Sequence, residues 1–181
     1  MRRFRMAAVT VVGLAGGMLG AMIPVAAEAQ LLGSDAAACQ RGGGSAIEAT
    51  ITGLKDRKGN LKLEIYPPNE TDFLRDDREL IAAGKTFRRV SAPVPASGAT
   101  ILCIRVPRPG RYALLFTHDR DGRNKFSFWS DGAGFARGDR LGRSRPKVEQ
   151  ALVEVGAGVT PVAIRAQYLR GLGGFAPMGD R

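Results

Sequence analysis

The sequence predicts an all-β domain with two packed sheets, and two observations favour this fold class. Short runs of alternating apolar and polar residues recur over residues 45–170, and turn signals containing Gly, Pro, Asp or Asn separate them. The turns recur about every eight to twelve residues, the spacing typical of a sandwich. We therefore predict a single Greek-key β-sandwich, immunoglobulin- or transthyretin-like, of about seven or eight strands. A closed barrel is the alternative architecture.

Alternation identifies the strands of the first half. Residues 46–53 and 61–66 each alternate as half-buried strands, and the polar turn over 56–60 between them predicts a hairpin. Pro67 and Pro68 end the second run because proline cannot continue a ladder. Residues 69–84 predict either one or two helical turns closed by a glycine or a long loop.

The second half continues the strand pattern. A buried strand over 112–117 lies between the turn at Pro109-Gly110 and a polar loop. The other strands are predicted over residues 85–90, 100–106, 148–155 and 159–169.

Residues 1–29 predict an export signal peptide. Three arginines precede an uncharged apolar run over 6–23, and Ala27-Glu28-Ala29 fits a small-residue cleavage site. The mature chain would then begin at Gln30 and would have no transmembrane helix. An uncleaved membrane anchor is the alternative, because the apolar run is long enough to span a bilayer.

Cleavage would leave 152 of the 181 residues, enough for one domain with its own core. We predict an N-terminal linker over 30–44, the sandwich over 45–170 and a flexible glycine-rich tail over 171–181. The net charge of +10 falls to +8 without the leader's three arginines and one glutamate. A basic exported protein suits an anionic envelope polymer or lipid, or another envelope protein, as its partner, and it does not normally meet nucleic acid. The expected location is periplasmic or secreted.

The two cysteines, Cys39 and Cys103, predict a disulfide. An even number of cysteines in an exported chain favours pairing, because the compartment is oxidising. The bridge would tie the N-terminal segment to a predicted strand.

Residues 109–138 hold the only His and the only Trp of the chain. Oxygen-bearing side chains around Gly122 are typical of a tight turn capped by Asp side chains, and the same oxygens could ligate a hard cation. The flanking Arg120 and Arg123 oppose a cation, so we expect no cofactor, with calcium on Asp119, Asp121 and Asn124 as the alternative. The candidate binding residues are His118, Asp119, Asp121, Asn124, Trp129 and Arg137.

Four features of this half resemble a known bacterial family. They are a G-x-Y-A strand at 110–113, H-D-x-[DN]-G at 118–122, a G-x-G-F loop at 132–135 and a strand ending in Tyr168. This combination resembles the domain of unknown function 2141 family over roughly Ile47 to Tyr168. The family motif is close to H-D-x-N-x-N-G-x-x-D, from which this chain departs after Gly122. The resemblance implies a small secreted β-sandwich whose role is unassigned.

Two classes of function remain open. The first is a non-enzymatic envelope module that binds a partner through the loops around 118–138, since sandwich loops commonly carry recognition. Among the aromatic residues there, Phe126 and Phe135 are expected to fill the core, whereas Trp129 suits either core or surface. The alternative is a small periplasmic hydrolase that uses His118 with Asp119 or Asp121. The chain has no P-loop, Rossmann fingerprint or zinc-ligand spacing, and we predict that it is not an enzyme.

Overall fold

The computed structural model describes residues 30–137 and 140–179, so the predicted signal peptide lies outside the described residues. The described chain is mostly β and forms two sheets, which confirms the predicted all-β class. In chain order its elements are β1 (Leu31–Leu32), β2 (Ala46–Thr52), β3 (Asn60–Tyr66), α1 (Asp77–Ala82), β4 (Arg88–Pro93), β5 (Thr100–Arg105), β6 (Gly110–Asp119), β7 (Gly132–Phe135), α2 (Val148–Ala151), β8 (Leu152–Val155), β9 (Val159–Arg165), β10 (Gln167–Leu169) and β11 (Phe175–Pro177).

The smaller sheet has the strand order β1-β5-β2-β9. Its centre is the antiparallel pair β2 and β5, in which Ala49 lies opposite Leu102. The strand β9 adds to the free edge of β2 in parallel, and β1 adds to β5 in parallel.

The larger sheet has the order β11-β10-β7-β6-β3-β4, with β6 and β3 at its centre. One edge of β6 pairs with β3 over the full length of β3. The opposite edge is shared, because β8 pairs with Gly110 to Ala113 and β7 pairs with Leu115 to His118. The last residues of β6 and the start of the loop after it therefore lie at one end of this sheet.

Apolar residues cover both faces of the larger sheet. The first cluster lies between the sheets, with Leu63 and Phe116 contributed by the larger sheet and Ile47 and Leu102 by the smaller one. The second lies on the outer face of the larger sheet, beneath α1, α2 and the loops beside them. It contains Tyr66, Phe73, Leu80, Ala113, Leu115, Phe135, Val148 and Ala151. The molecule thus has three layers, and the outer one forms a roof over β3 and β6.

Several predicted elements take a different form. The prediction that 46–53 and 61–66 form a hairpin is wrong, because β2 and β3 belong to different sheets and the polar turn crosses between them. The predicted strand over 148–155 begins as the short helix α2. The predicted strand over 159–169 is interrupted at Ala166, where the chain leaves the smaller sheet and joins the larger one. The split at Ala166, the short strands β1 and β11, and β7, which replaces the G-x-G-F loop, give eleven strands in the described part of the chain rather than seven or eight.

The segments predicted as a linker and a flexible tail contain regular structure. In the first, β1 pairs with β5, and the Asp35 carboxylate accepts a hydrogen bond of 2.9 Å from the backbone N–H of Arg105. The predicted disulfide is present in the structure, with the Cα atoms of Cys39 and Cys103 5.9 Å apart. In the second, β11 pairs with β10 and buries Phe175. The contacts of the first segment were hidden in the sequence because they depend on the distant strand β5, whereas the glycine-rich composition of the second gave no sign of its pairing with the neighbouring strand β10.

No helix among the described residues is long and apolar enough to cross a membrane.

Candidate functional site

A cavity of about 350 Å³ lies on the outer face of the larger sheet, between the central strands and the roof. Alternate residues of β3 and β6 point into this layer, because side chains of a strand alternate between its faces. Lys62 and Glu64 enter from β3, Thr117 and Asp119 enter from β6, and Phe126 closes one side. The cavity therefore combines charged groups with an apolar wall.

The charged groups of the cavity are paired. The Lys62 ammonium lies 2.7 Å from Oδ2 of Asp119, and both side chains are almost fully buried. Burial by itself would raise the pKa of Asp119, but the Lys62 ammonium and the N–H of Asn124 hold that pKa below its usual value. The other pair is Glu64 with Arg89. These pairs fix two charged side chains on β3 in one arrangement.

The predicted capped turn is formed after β6. Oδ2 of Asp119 accepts a hydrogen bond of 3.0 Å from the N–H of Asn124, and Oδ1 of Asp121 accepts one of 3.1 Å from the N–H of Arg123. Asn124 has a φ of 61°, a left-handed conformation that Asn tolerates. The aspartates therefore organise the loop, as the turn interpretation predicts.

Asp131, which the sequence did not single out, closes the same loop from its other end. Its carboxylate accepts hydrogen bonds from the backbone N–H groups of Arg120 and Ser127 and from the hydroxyl of Ser130. Ligand oxygens of Asp119, Asp121 and Asp131 lie within 4.8 Å of one another. A carboxylate immediately before β7 was the available signal, but Asp119 and Asp121 lie 12 and 10 positions earlier and no spacing rule joins the three.

His118 lies on the opposite face of β6 from Asp119. Its side chain is fully buried between the sheets, with Nδ1 2.7 Å from the Tyr168 hydroxyl and Nε2 2.7 Å from the carbonyl oxygen of Lys58. Burial lowers the pKa of His118, so the ring is neutral at pH 7. The structure therefore does not bring His118 together with Asp119 and Asp121.

The loop between β6 and β7 also carries an exposed aromatic patch, formed by Phe126, Phe128 and Trp129. Trp129 is 83% exposed, and Phe126 and Phe128 are nearly half exposed. Both phenylalanines contact the buried ring of Phe175, with centroid distances of 6.1 and 4.9 Å. The expectation that Phe126 fills the core is therefore wrong, whereas Phe135 is buried as predicted.

The remaining predicted site residue lies apart from this patch. Arg137 follows β7, is exposed, and its backbone N–H donates to the carbonyl of Gln150. Beside Trp129, a surface groove of about 450 Å³ is lined by Phe128, Arg143 and Leu172. Leu172 is 86% exposed, and the sequence missed it because the segment was predicted to be a free tail.

A family model described as "Uncharacterized protein conserved in bacteria (DUF2141)" matches residues 49–163, more than half of the chain. No curated protein and no solved structure matches the chain. The family match spans β2 to β9 and includes the acidic loop and the aromatic patch.

Proposed function

The chain belongs to the DUF2141 family, whose description assigns no activity, and from its own geometry we propose an exported, non-enzymatic module that attaches to an anionic membrane surface of the cell envelope. The observation that carries the proposal is the exposure of Trp129 on a loop that its own hydrogen bonds hold in place. Burying so large an aromatic side chain is favourable, and indole rings suit the boundary between lipid and water.

The residues around Trp129 favour a lipid surface over a polymer as the partner that the patch binds. Phe128 contacts Trp129 at a centroid distance of 6.0 Å, and Leu172 lies across the groove. A polysaccharide would stack on the flat rings, but it gains little from an exposed leucine. Phe128, Trp129 and Leu172 together form an apolar surface of the kind that inserts shallowly among acyl chains.

The charges around the patch fit an anionic lipid. Arg123, Lys125 and Arg143 are exposed, and Arg143 is positioned by a hydrogen bond of 3.2 Å to the carbonyl of Leu172. Each basic residue close to an anionic bilayer contributes about 1 kcal/mol, and salt screens this attraction. Binding should therefore require both the aromatic patch and anionic lipid.

The arrangement of His118 supports a non-enzymatic role. A general base must reach a substrate proton, and both ring nitrogens of His118 are already bonded to Tyr168 and Lys58 between the sheets. The dyad that the hydrolase alternative requires would have to join opposite faces of β6.

Vesicle binding of the mature chain tests the membrane proposal. Vesicles containing phosphatidylglycerol should shift the tryptophan emission to the blue as the ring enters a less polar environment, and the signal reports on Trp129 because it is the only tryptophan. Phosphatidylcholine vesicles should not cause this shift, and high salt should prevent it. Trp129→Ser, followed by co-sedimentation, should lose most of the binding. The matched control Ile81→Ser removes an exposed apolar side chain from α1 and should bind as the wild type does.

Three results would contradict the proposal. They are binding that ignores lipid charge, equal losses in Trp129→Ser and Ile81→Ser, and binding to an anionic polysaccharide without binding to vesicles. The last result would show that the aromatic patch binds an anionic envelope polymer, the other partner expected from the sequence, instead of a membrane.

Export is tested separately. N-terminal sequencing of the protein recovered from the periplasm or medium should begin at Gln30. An intact chain that keeps residues 1–29 in the membrane pellet would show an uncleaved anchor instead.

A further inference from the structure

We propose that Asp119, Asp121 and Asp131 form a binding site for a divalent cation, with calcium as the ion that fits best. The ligand oxygens of the three carboxylates lie within 4.8 Å of one another, so one ion can contact all of them. This set differs from the sequence alternative, which used Asn124 and lacked a third carboxylate. Asp131 supplies it from the far end of the loop.

An independent observation points to a missing ligand. Oδ1 of Asp119 is buried and has no hydrogen-bond partner in the part of the chain that the structure describes, although the residue is only 2% exposed. A buried acceptor without a partner is costly. Its neighbour Asp121 offers only acceptors when it is ionised, so it cannot satisfy that oxygen. A cation would satisfy it and would also offset the repulsion between the carboxylates.

The charge balance leaves room for a divalent ion. Three carboxylates contribute three negative charges, and the buried Lys62 ammonium neutralises one of them through Oδ2 of Asp119. Arg123 lies 3.5 Å from Asp121, but its side chain is 81% exposed and can turn into solvent. The cluster therefore keeps a net charge of about −2, which a divalent cation would balance.

The donor set favours calcium over other divalent ions. All candidate ligands are carboxylate oxygens, which suit hard cations, whereas structural zinc sites use Cys and His. Magnesium requires a near-ideal octahedron, but calcium tolerates irregular geometry and completes its coordination with water or carbonyl oxygens. Asp131 is held by three hydrogen bonds and Asp121 is exposed, a mixture of rigid and adjustable ligands that fits calcium.

A bound ion would hold together the two ends of the loop between β6 and β7. Asp119 and Asp121 lie at its start and Asp131 at its end, and the residues between them carry the aromatic patch. Calcium would therefore stabilise the fold and restrain this loop. This inference does not depend on membrane attachment, because its readouts need no lipid.

The experiment uses the mature chain, freed of metal with a chelator and titrated with calcium chloride by calorimetry and thermal unfolding. Calcium at about 100 times its Kd should raise the Tm by about 5–10 °C, by linkage. Asp121→Ala should remove this rise, because alanine has no ligand oxygen, and the lost hydrogen bond from the N–H of Arg123 should lower only the metal-free Tm. The matched control Glu154→Gln removes a negative charge from the exposed pair with Arg111 and should keep the full rise.

The outcomes are separable. A Tm that is unchanged by millimolar calcium overturns the proposal. A rise that survives in Asp121→Ala, or that is lost equally in Glu154→Gln, also overturns it, because the effect would then arise elsewhere or from general screening. An equal rise from sodium chloride at matched ionic strength has the same meaning.

Discussion

The hydrogen-bond chain through Tyr168 and His118 allows a sharp prediction about the packing of the two sheets. The Lys58 carbonyl can only accept, so Nε2 of His118 must carry the ring proton. The neutral ring then accepts at Nδ1, and the Tyr168 hydroxyl donates to it while accepting from the N–H of Lys55. Burial raises the pKa of Tyr168 to about 12, which keeps the hydroxyl protonated. Each partner has one defined role.

Tyr168→Phe removes this hydroxyl and leaves the ring in place. Nδ1 of His118 is fully buried and loses its donor, which costs about 1–3 kcal/mol of unfolding free energy. The N–H of Lys55 lies at the surface and can bond to water, so it adds little. We expect urea denaturation at pH 7.5 to show a loss of about 1–3 kcal/mol at an unchanged m-value.

Tyr112→Phe is the matched control for this variant. The Tyr112 hydroxyl donates to the carbonyl of Arg108, an exposed residue whose carbonyl can be hydrated instead, so the loss should be about 0.5–1.5 kcal/mol. A Tyr168→Phe loss no greater than the Tyr112→Phe loss would refute the argument. So would ¹⁵N NMR shifts that place the proton of His118 on Nδ1.

Three further predictions concern other parts of the fold. Replacing Cys39 and Cys103 by Ala should lower the free energy of unfolding by about 4 kcal/mol, because the bridge closes a long loop; a loss below 1 kcal/mol in urea denaturation would contradict this. The hydrogen bond from Arg88 holds the pKa of Asp35 below its usual value, so its stabilisation is complete above pH 5 and is lost as the pH falls through the folded pKa. The stability difference between wild type and Asp35→Asn should therefore shrink between pH 5 and pH 2, and a constant difference would disprove it. Gly134→Ala should cost about 1–3 kcal/mol in the same assay, since the new Cβ would lie 2.7 Å from a methyl group of the facing sheet; an unchanged midpoint would show that the sheets can separate there.

The fold class was predictable because it depends on local pattern. Alternation identifies β2, β5 and β6 within a few residues of their observed ends, and the disulfide was predicted from the cysteine count together with the expected compartment. Partner choice was not predictable in the same way. β2 and β3 are separated by a short polar turn, as hairpin strands are, yet β2 takes β9 as its parallel neighbour from more than 100 positions later. Nothing local distinguishes a turn within a sheet from a crossing between sheets.

The loop between β6 and β7 shows the same contrast between local features, which the sequence predicts, and long-range contacts, which it does not. The cap interactions of Asp119 and Asp121 are local, and the sequence predicts them from residue type. The positions of Phe126 and Phe128 depend on their contacts with Phe175, which reaches them only because β11 pairs with β10. A chain end rich in glycine gives no sign of that pairing, so an aromatic residue that seemed suited to the core lies on the surface instead.

The buried charges of β3 explain why an alternating strand can mislead about its environment. Lys62 and Glu64 occupy the polar positions of the run, and alternation alone assigns that face to water. In the structure each residue is only 7% exposed, because the roof lies over the face, and each charge has a partner from a neighbouring strand. Truncating either partner would leave a buried charge, which costs more than the pair contributes. The polar face is therefore a fixed wall of the cavity. This wall holds Asp119 in place with one oxygen bonded to Lys62 and the other buried without a partner among the described residues, which is the oxygen that the proposed calcium ion would satisfy.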